Sequence, residues 1–328
     1  MSALHNRTGR MGGTLDLSII IVNWNTSRML QDCLASVFAG LDGRSAEVIV
    51  VDNASDDGSA DMVRSDFPRV RLIENSENRG FAAANNQALE VASGKYLLLL
   101  NSDTLIHGVV LPASVAYMDA HTDVGVMGCR VLNGDGTLQP TCSQYPSLIN
   151  LTLLTSGLWK LPWPGFLDRY QMRRWDRTDE REVDIVSGCY MMVRRAALDE
   201  VGPLDERFFF YGEETDWCRR FRAAGWKLRF APVGEITHFG GGSVRRLDHV
   251  RDLMLTSATV MLHRKHGGMV SAISAWIILF AFNLSRAVFW SIAALFCRND
   301  RTRRRRNHFL GLVRQIRKSW PAAKTASF

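Results

Sequence analysis

The 328-residue sequence lacks both of the glycine-rich motifs by which common nucleotide-binding folds hold a phosphate group. The first strand-to-helix turn is NWNTSRML, and without a G-x-G-x-x-G pattern it does not let a dinucleotide's pyrophosphate approach a helix N-terminus. No G-x-x-x-x-G-K-S/T segment occurs either, which argues against a P-loop NTPase. A phosphorylated ligand would therefore have to be bound by carboxylates and amides.

Cysteine is scarce, and its spacing argues against a structural zinc site. No C-x-x-C pair occurs among the six cysteines, which are Cys33, Cys129, Cys142, Cys189, Cys218 and Cys297. Several lie in apolar surroundings, so we expect reduced thiols in a cytosolic compartment. The first 15 residues contain no apolar core and predict no signal peptide, and residues 1–14 are predicted to be disordered.

Positive charge is confined to one end of the chain. The formal net charge is +7, but ten Lys/Arg and a single acid follow residue 297, so this tail carries +9 and residues 1–297 about −2. The basic character therefore belongs to a tail and not to a nucleic-acid groove, and no nucleic-acid partner is expected. No internal repeat is evident in the sequence.

Apolar runs alternate with helical patterns in the first third of the chain. The runs within 15–25, 46–59, 70–80 and 95–104 each end in polar residues. This alternation predicts an α/β fold with a mostly parallel central sheet, in which ligands bind outside the carboxyl ends of the strands. The polar strand ends, which would line one crevice, are Asn23, Asn25, Asp52, Asn53, Glu74, Asn75, Asn101, Ser102 and Asp103.

The remainder of this unit is less regular. Residues 134–136 (Gly-Asp-Gly) predict a hairpin turn, and residues 155–182 predict an irregular lid or binding loop. Residues 183–198 predict a strand followed by a helix, and residues 214–224 predict a further helix. Residues 236–244 predict a glycine-rich loop, whose backbone amides could approach a phosphate or could simply be flexible.

Three carboxylates are gathered in the segment FFFYGEETDWCRR. Glu213, Glu214 and Asp216 lie within four positions, directly after a run of aromatic residues. A helix N-terminus attracts acidic residues and explains the cluster without any catalytic role. A general base explains it equally well, because neighbouring acids and aromatic bulk would raise the proton affinity of a carboxylate.

Three further polar residues each have a functional and a structural explanation. Asp103, at a strand end, could hold Mg²⁺ or Mn²⁺ against a diphosphate, but the segment SDT is also good N-cap chemistry. His238 could be a second metal ligand or a structural histidine. Asp52 could accept hydrogen bonds from a nucleobase or ribose, or could bind its own turn backbone.

Seven segments in one order resemble a family 2 glycosyltransferase with the GT-A fold, and most closely its bacterial rhamnosyltransferase-type branch. The segments are SIIIVNWN, VVDNASDDGS, ENRGFAAANNQ, LLLLNSDT, GCYMMVRRAAL, VGPLDERFFFYGEETDWCRRFRAAGW and THFGGGS. The resemblance covers residues 15–265, which we expect to form the GT-A domain. Each motif alone is weak, but seven in the same order are specific.

The resemblance implies inverting transfer of a sugar from a nucleotide-diphosphate donor, such as dTDP-rhamnose, to a lipid-linked or polysaccharide acceptor. Asp103 would be the last acid of the metal-binding D-x-D motif, and His238 would complete a site for Mg²⁺ or Mn²⁺. The donor-binding residues that it implies are Asn23, Asn25, Asp52, Asn53, Arg79, Gly80, Asn85, Ser102, Asp103, Gly241 and Ser243.

The resemblance also gives the carboxylates a role. Glu213 and Glu214 would match the family's Glu-Asp pair, whose second member is the base, but the presence of Glu at both positions leaves the assignment between them open. Asp216 would lie near the acceptor or hold the local helix. Two alternatives remain, a different donor sugar (galactosyl, N-acetylglucosaminyl or mannosyl) and a catalytically silent scaffold that binds a nucleotide sugar.

Residues 266–328 are predicted to associate with a membrane. Residues 269–297 contain one charged residue, Arg286, and could span a bilayer by length. A single crossing would separate the donor-binding domain from the basic tail, although both are expected on the cytosolic side. We therefore expect a helix or re-entrant pair at the cytoplasmic face of the inner (plasma) membrane, with the arginines on anionic lipid and an amphipathic helix at 307–320. A buried C-terminal helix with a disordered tail is the alternative.

Overall fold

The computed structural model describes residues 15–160, 166–240, 249–297 and 299–320. Strands and helices alternate in the first part of the chain, as the apolar runs predict. These elements are β1 (Leu17–Asn23), α1 (Ser27–Gly40), β2 (Ala46–Asp52), α2 (Ser59–Asp66), β3 (Arg71–Glu74), α3 (Phe81–Val91) and β4 (Tyr96–Asn101).

The second part of the chain adds further strands to the same sheet and ends in helices. Its elements are β5 (Thr104–Ile106), α4 (Val110–Ala120), β6 (Val124–Leu132), α5 (Leu148–Ser156), β7 (Arg181–Glu182), β8 (Tyr190–Arg194), α6 (Arg195–Val201), α7 (Glu213–Ala223), β9 (Lys227–His238), α8 (His249–Phe296) and α9 (Asp300–Gln315). Short 3₁₀ turns cover Leu158–Lys160 and Ile316–Ser319.

The described strands form a single mixed sheet in the order β3-β2-β1-β4-β8-β6-β9-β5, and β7 pairs with β9. Strands β1 to β4 are mutually parallel where they pair, whereas β8 runs antiparallel to both β4 and β6. The predicted fold class, α/β with a mostly parallel central sheet, is confirmed. The antiparallel direction of β8 was not predicted from the sequence.

The register of the parallel strands brings their polar ends together. Asn23 pairs with Asp52 across β1 and β2, and Val22 pairs with Asn101 across β1 and β4. Asp52 in turn pairs with Glu74 of β3. The carboxyl ends therefore lie at one edge of the sheet, where α/β folds bind their ligands.

Apolar layers cover both faces of the sheet. Ile19 and Ile21 of β1 are fully buried in the same core as Leu34 of α1, whereas Ile20 is buried in the opposite core with Ala84 of α3. A strand that is buried on both faces has no polar face to alternate with its apolar one, which is why β1 is a continuous apolar run in the sequence.

The predicted binding loop at 155–182 is irregular. Where the structure describes it, hydrogen bonds from a buried arginine hold it to neighbouring backbone. The Arg177 side chain is fully buried, and its guanidinium donates hydrogen bonds to backbone carbonyls that include those of Thr141 (2.9 Å) and Trp175 (2.8 Å). Because these carbonyls are buried acceptors, the arginine satisfies polar groups that an irregular segment would otherwise leave unpaired. Residues 161–165 lie outside the described residues.

Helix α8 is broken at Gly268, whose φ of 76° and ψ of −174° are non-helical. This conformation is essentially restricted to glycine. We call residues 249–267 the proximal segment of α8 and residues 269–296 its distal segment. The side chains of His263 and Ser271 are hydrogen-bonded at 2.8 Å, although eight residues of straight helix would separate them by about 12 Å.

Helix α9 shows that the two segments of α8 lie side by side. His308 of α9 bonds Asp252 in the proximal segment at 3.0 Å, and the ring of Phe309 packs 6.4 Å from that of Phe282 in the distal segment. On one straight helix, residues 252 and 282 would be about 45 Å apart. The chain therefore turns back at Gly268, and the predicted domain boundary between 265 and 266 falls just before this turn.

Candidate active site

A cavity of about 400 Å³ lies at the carboxyl ends of β1 and β4 and beside the first turn of α7. It places the strand-end residues and the carboxylate cluster in one space. Its polar lining includes Asn53, Asn101, Ser102, Asp103, Glu213, Glu214, His238 and Arg251.

The sheet topology explains why His238 is next to Asp103. Strand β5 follows Asp103 and pairs antiparallel with the end of β9, so that Thr104 lies opposite His238. The imidazole Nε2 of His238 then lies 3.2 Å from Oδ1 of Asp103 and 3.2 Å from Nδ2 of Asn101. The two side chains proposed from the sequence as metal ligands are thus adjacent in the cavity.

Gln139 fixes the orientation of the His238 ring. The amide nitrogen of Gln139 donates to Oδ1 of Asn133 at 2.8 Å and to the backbone carbonyl of His238 at 3.4 Å. Its oxygen consequently faces Nδ1 of His238, at 2.7 Å, and Nδ1 must carry the proton that it donates. In the neutral ring the other nitrogen, Nε2, is then an acceptor, which takes a hydrogen bond from Nδ2 of Asn101 at 3.2 Å and is the nitrogen that a metal ion would bind.

The chemistry of this pair suits a divalent cation that shares its coordination with a substrate. Within the described ranges, no group of three or more His, Cys, Asp or Glu side chains could enclose a metal ion. A carboxylate and an imidazole supply two ligands, and Mg²⁺-type ions complete their coordination with water and substrate phosphates. Asp103 and His238 therefore fit a cation held jointly with a diphosphate.

The catalytic candidates Glu213 and Glu214 begin helix α7 directly after a left-handed turn. Tyr211 and Gly212 have φ values of 72° and 87°. No side chain caps this helix through a hydrogen bond. One oxygen of each glutamate, Oε2, is buried without a hydrogen-bond partner among the described residues. Helix capping alone does not explain why each side chain keeps a buried oxygen that accepts no hydrogen bond from the described residues.

The pKa values of the two glutamates are raised to different extents. Burial raises the pKa of Glu213 well above its ordinary value, and the neighbouring Glu214 raises it further. Burial also raises the pKa of Glu214. Backbone N–H bonding lowers the pKa of both glutamates, whereas the hydrogen bond between their side chains raises the pKa of Glu213 and lowers that of Glu214. The shared proton therefore belongs on Glu213, and Glu214 is the carboxylate that ionises first.

Asp216, the third catalytic candidate, does not line the cavity. It is fully buried, and its carboxylate accepts from Nε of Arg220 at 2.9 Å, on the same helix. Its other oxygen lies 2.7 Å from Nζ of Lys265 and 2.7 Å from Nε2 of His266. Both of these residues belong to the proximal segment of α8, so Asp216 joins that segment to α7.

Among the donor-binding candidates, Asn53, Ser102 and Asp103 line the cavity, whereas Asn23 and Asp52 lie behind its wall. Nδ2 of Asn23 donates to one oxygen of Asp52 at 2.9 Å, and the backbone N–H of Ser55 donates to the other oxygen at 2.9 Å. Asn25 accepts from the backbone of Asp56 at 2.8 Å. These side chains shape the loop after β2.

The donor-binding candidates near α3 do not share one environment. Arg79 is exposed, and buried Asn85 donates to the backbone carbonyl of Phe81 at 2.9 Å. Gly80 has a φ of 81°, and a Cβ there would lie 2.5 Å from the carbonyl oxygen of Phe209. This close approach sets α3 against the aromatic segment that precedes Glu213. Gly241 and Ser243 lie outside the described residues.

The structure adds site residues that sequence reasoning did not identify. Arg251, in the first turn of α8, lines the cavity and is paired with Asp252 at 3.2 Å, and the aromatic side chains of Trp24, Phe81 and Phe210 also line it. Gln139 contributes to the site by orienting the ring of His238. No motif in the sequence marks Arg251 or Gln139, because their positions depend on contacts between distant elements.

The architecture is the GT-A fold, as two solved structures show. A solved mannosyltransferase from Pyrobaculum calidifontis, in complex with GDP-Man and Mn²⁺, superimposes with a TM-score of 0.54 at 16% identity, over 92% of this chain and 87% of that chain. GalNAc-T7 with UDP, GalNAc and Mn²⁺ gives 0.56 at 17% identity, over 77% and 48%. At such low identity these likenesses concern the fold alone.

The sequence comparison establishes the family. The model of glycosyl transferase family 2 matches residues 18–202, more than half of the chain, and the protein belongs to this family of glycosyltransferases. An N-acetylglucosaminyl-diphospho-decaprenol L-rhamnosyltransferase of Mycobacterium tuberculosis is 28% identical, over 79% of this chain and 88% of that protein. The low-salt glycan biosynthesis hexosyltransferase Agl10 of Haloferax volcanii is 27% identical, over 72% and 71%. The predicted resemblance is confirmed.

Proposed function

We propose that this chain is an inverting glycosyltransferase that moves a deoxyhexose, such as rhamnose, from a nucleotide-diphosphate donor to a lipid-linked or polysaccharide acceptor. dTDP-rhamnose or a similar nucleotide sugar is the donor. The enzyme acts in cell-wall or polysaccharide biosynthesis, at the cytoplasmic face of the inner membrane.

One observation carries the proposed chemistry. Asp103 and His238 line the same cavity as Glu213 and Glu214, so the proposed diphosphate site and the proposed base face one space. Inverting transfer is a single displacement, which needs a leaving-group site on one side of the anomeric carbon and a base on the other. A cavity that provides both supports a transferase in preference to a silent scaffold.

Glu214 is the general base of the proposal. An acceptor hydroxyl attacks the anomeric carbon as its proton passes to the Glu214 carboxylate, and the bond from that carbon to the donor phosphate breaks. Glu213 keeps its proton because burial and the adjacent charge raise its pKa, and it donates to Glu214 before the acceptor binds. General-base catalysis of this kind contributes about 10²–10⁴-fold to the rate.

Asp103 and His238 would hold a divalent cation, Mg²⁺ or Mn²⁺, against the donor diphosphate. Such a cation, when bound, neutralises negative charge that develops on the departing nucleoside diphosphate. Arg251, whose guanidinium is paired with Asp252, lines the same cavity. Gln139 keeps Nε2 of His238 turned towards Asp103.

The donor-binding residues divide into two groups. Asn53 and Ser102 line the cavity, where they would face the donor. The amide of Asn53 also holds the loop before α3, through hydrogen bonds to Asn78 and to the backbone of Arg79. Asn23, Asn25, Asp52, Gly80 and Asn85 position the loops that carry those residues, and Arg79 offers an exposed cation at the rim of α3. Asp216 holds α7, and with it Glu214, against α8.

The donor and acceptor are proposed from relatives. The mycobacterial relative is named for L-rhamnosyl transfer to N-acetylglucosaminyl-diphospho-decaprenol, a lipid-linked acceptor. Acceptors of this kind stay in the membrane, which agrees with the one described helix that is long and apolar enough to cross a bilayer by length and composition.

The test is a transfer assay with the purified full-length protein. It would be incubated with dTDP-rhamnose, a polyprenyl-diphosphate N-acetylglucosamine acceptor and either Mg²⁺ or Mn²⁺, and the product anomer would be assigned by NMR. We expect release of dTDP that depends on the acceptor, with inversion at the anomeric carbon. Parallel reactions with UDP- and GDP-sugars identify another donor if rhamnose is wrong.

Two results would overturn the proposal. Retention of anomeric configuration would exclude single displacement. Binding of a nucleotide sugar in a thermal-shift assay, without turnover of any donor by wild type, would favour the silent scaffold. Glu214→Gln serves as the matched control, because it should bind the donor as wild type does and release no nucleotide above background.

A further inference from the structure

The distal segment of α8 exposes a continuous apolar face. We call this face the apolar stripe, and its large side chains are Ile273, Ile277, Leu284, Val288, Ile292 and Leu295, each between 41% and 71% exposed. Their spacing of three, four or seven residues places them on one side of the helix. The stripe extends over about 33 Å of helix.

The opposite face of the distal segment is already covered. Ala272, Ala275, Asn283 and Ala287 are buried there, and α9 is the neighbouring helix. The exposed face is therefore the more apolar of the two, which reverses the usual arrangement of a surface helix. A contiguous exposed apolar face of this size marks an interaction surface.

Positive charge lies at one end of the stripe. Helix α9 starts four residues after the end of α8 and carries six arginines. Four of them, Arg301, Arg303, Arg304 and Arg305, form what we call the arginine cluster. Arg301, Arg303 and Arg304 are exposed, and Arg301 follows Leu295, the last side chain of the stripe, by six residues, so the positive charge lies next to the end of the stripe. The guanidinium of Arg305 lies 5.3 Å from the ring centre of Trp290, on the covered side of the distal segment, and this contact holds α9 against that segment.

The positive charge of this surface indicates which partner binds to it. Apolar side chains beside clustered arginines match a bilayer leaflet with anionic headgroups, where each arginine near the surface contributes about 1 kcal/mol. Within Asp300–Gln315 a single acid, Asp300, offsets the six arginines. A second copy of the chain would present the same positive charge.

The packing of α9 decides how the distal segment meets the bilayer. Phe309 of α9 packs on Phe282, near the middle of the distal segment, and His308 is bonded to Asp252 in the proximal segment. If the distal segment crossed the bilayer, it would carry α9 and its arginines into hydrocarbon, where charged side chains are costly. A helix that lies in the membrane plane leaves α9 at the headgroups.

We propose that the apolar stripe and the arginine cluster together dock on an anionic bilayer surface, with the distal segment in the plane of the membrane and not across it. This inference adds detail to the membrane location in the proposed function. It depends on that location but not on the proposed transfer reaction. Binding to vesicles is measured without substrates, so its failure is distinguishable from failure of the transferase assay.

The chain offers a natural reporter for the experiment. Cys297, at the end of the distal segment, is exposed, whereas the other five cysteines are buried. A thiol-reactive, environment-sensitive fluorophore would therefore label native full-length protein at this one position. We expect a blue-shifted emission and co-sedimentation with vesicles of phosphatidylcholine and phosphatidylglycerol, and much weaker binding to phosphatidylcholine alone.

Paired variants separate the two parts of the surface. Leu284→Glu with Val288→Glu should weaken vesicle binding at least about tenfold, because two apolar side chains no longer enter the lipid. Arg301→Gln with Arg304→Gln should remove the preference for anionic lipid. Val109→Glu is the matched control, since Val109 is 60% exposed before α4 and should leave binding unchanged. Unfolding curves for each variant check that the fold persists.

Three results would overturn the inference. The first is wild-type binding by the Leu284→Glu, Val288→Glu variant. The second is a wild-type dimer that this variant converts to a monomer without any vesicle binding by wild type, which would make the stripe an interface between copies. The third is labelling of Cys297 by an impermeant maleimide applied outside intact cells, which would show that the distal segment crosses the membrane. We expect labelling only after permeabilisation.

Discussion

Nε2 of His238 lies 3.2 Å from Oδ1 of Asp103, although the two residues are far apart in the sequence. The pairing of β5 with β9 brings them together, and the hydrogen bond of 2.7 Å from Nδ1 of His238 to Gln139 turns the ring into position. The metal-binding capacity of the cavity should therefore depend on a residue that touches neither metal nor substrate.

Gln139→Ala should weaken the affinity for Mn²⁺ about 10–100-fold, the usual effect of removing a partner that orients a metal-binding histidine. Without the amide, Nδ1 is no longer fixed as the protonated nitrogen. The measurement is transfer activity against added Mn²⁺ after treatment with EDTA, and saturating Mn²⁺ should restore most of the turnover. Gln31→Ala, on α1 and bonded to Asp66, is the matched control. An unchanged Mn²⁺ requirement would contradict the orientation that we assign to His238.

Glu214→Gln should lower turnover about 10²–10⁴-fold and leave donor affinity near that of wild type. Glutamine has nearly the same shape but accepts no proton from the acceptor hydroxyl. Glu213→Gln should retain most turnover, because its amide can donate to Glu214 as the protonated acid does. Initial rates and donor affinity are measured for both variants. The reverse ranking of the two variants would make Glu213 the base.

The stability of the protein should fall as pH rises in the range where Glu213 ionises. Burial raises the pKa of Glu213 above that of the unfolded chain, so the folded state binds more protons than the unfolded state. The contribution of Glu213 is complete below the unfolded pKa and is lost as pH rises through the folded one. Glu213→Gln mimics the protonated form, and its gain in unfolding free energy over wild type should increase from about pH 5 to about pH 8. Urea unfolding across this range tests the sign, and a constant difference between the two proteins would refute it.

Gly80→Ala should disturb the active site more than its small change in volume suggests. Gly80 has a φ of 81°, and an added Cβ would lie 2.5 Å from the carbonyl oxygen of Phe209. The aromatic segment before Glu213 would have to move away from α3. We expect lower turnover and lower thermal stability together. Gly136→Ala, also at positive φ but with nothing within 4 Å of the added Cβ, provides a control for backbone strain alone.

The sequence predicted those features that depend on local patterns. Continuous apolar runs located β1, β2 and β4, because strands buried on both faces show no alternation, and the polar residue after each run located the cavity edge. Asp103, His238, Glu213 and Glu214 were selected as site residues from motifs in which each type of residue has its own chemistry. All four line the cavity.

The remaining features depend on contacts between distant segments. Nothing in the local sequence indicates that β8 enters the sheet antiparallel, or that β9 returns beside β5. Arg251 and Gln139 reach the site through those long-range pairings. The predicted amphipathic helix at 307–320 is part of α9 and its 3₁₀ turn, but Leu312 and Ile316 are buried beside α8 instead of facing lipid. Hydrophobic periodicity identifies an apolar face but does not say which partner covers it.

Asp216→Asn should test whether Asp216 supports the site from outside the cavity. Its buried carboxylate is the common partner of Arg220, Lys265 and His266, and removing one member of a buried ion network costs about 3 kcal/mol. We expect the unfolding free energy to fall by about this amount and turnover to fall several-fold. The pH dependence of turnover should stay that of wild type, because Glu214 remains the base. Asp199→Asn, at an exposed position on α6, should change neither quantity. If Asp216→Asn abolished turnover in a protein of wild-type stability, Asp216 would instead be in contact with the acceptor.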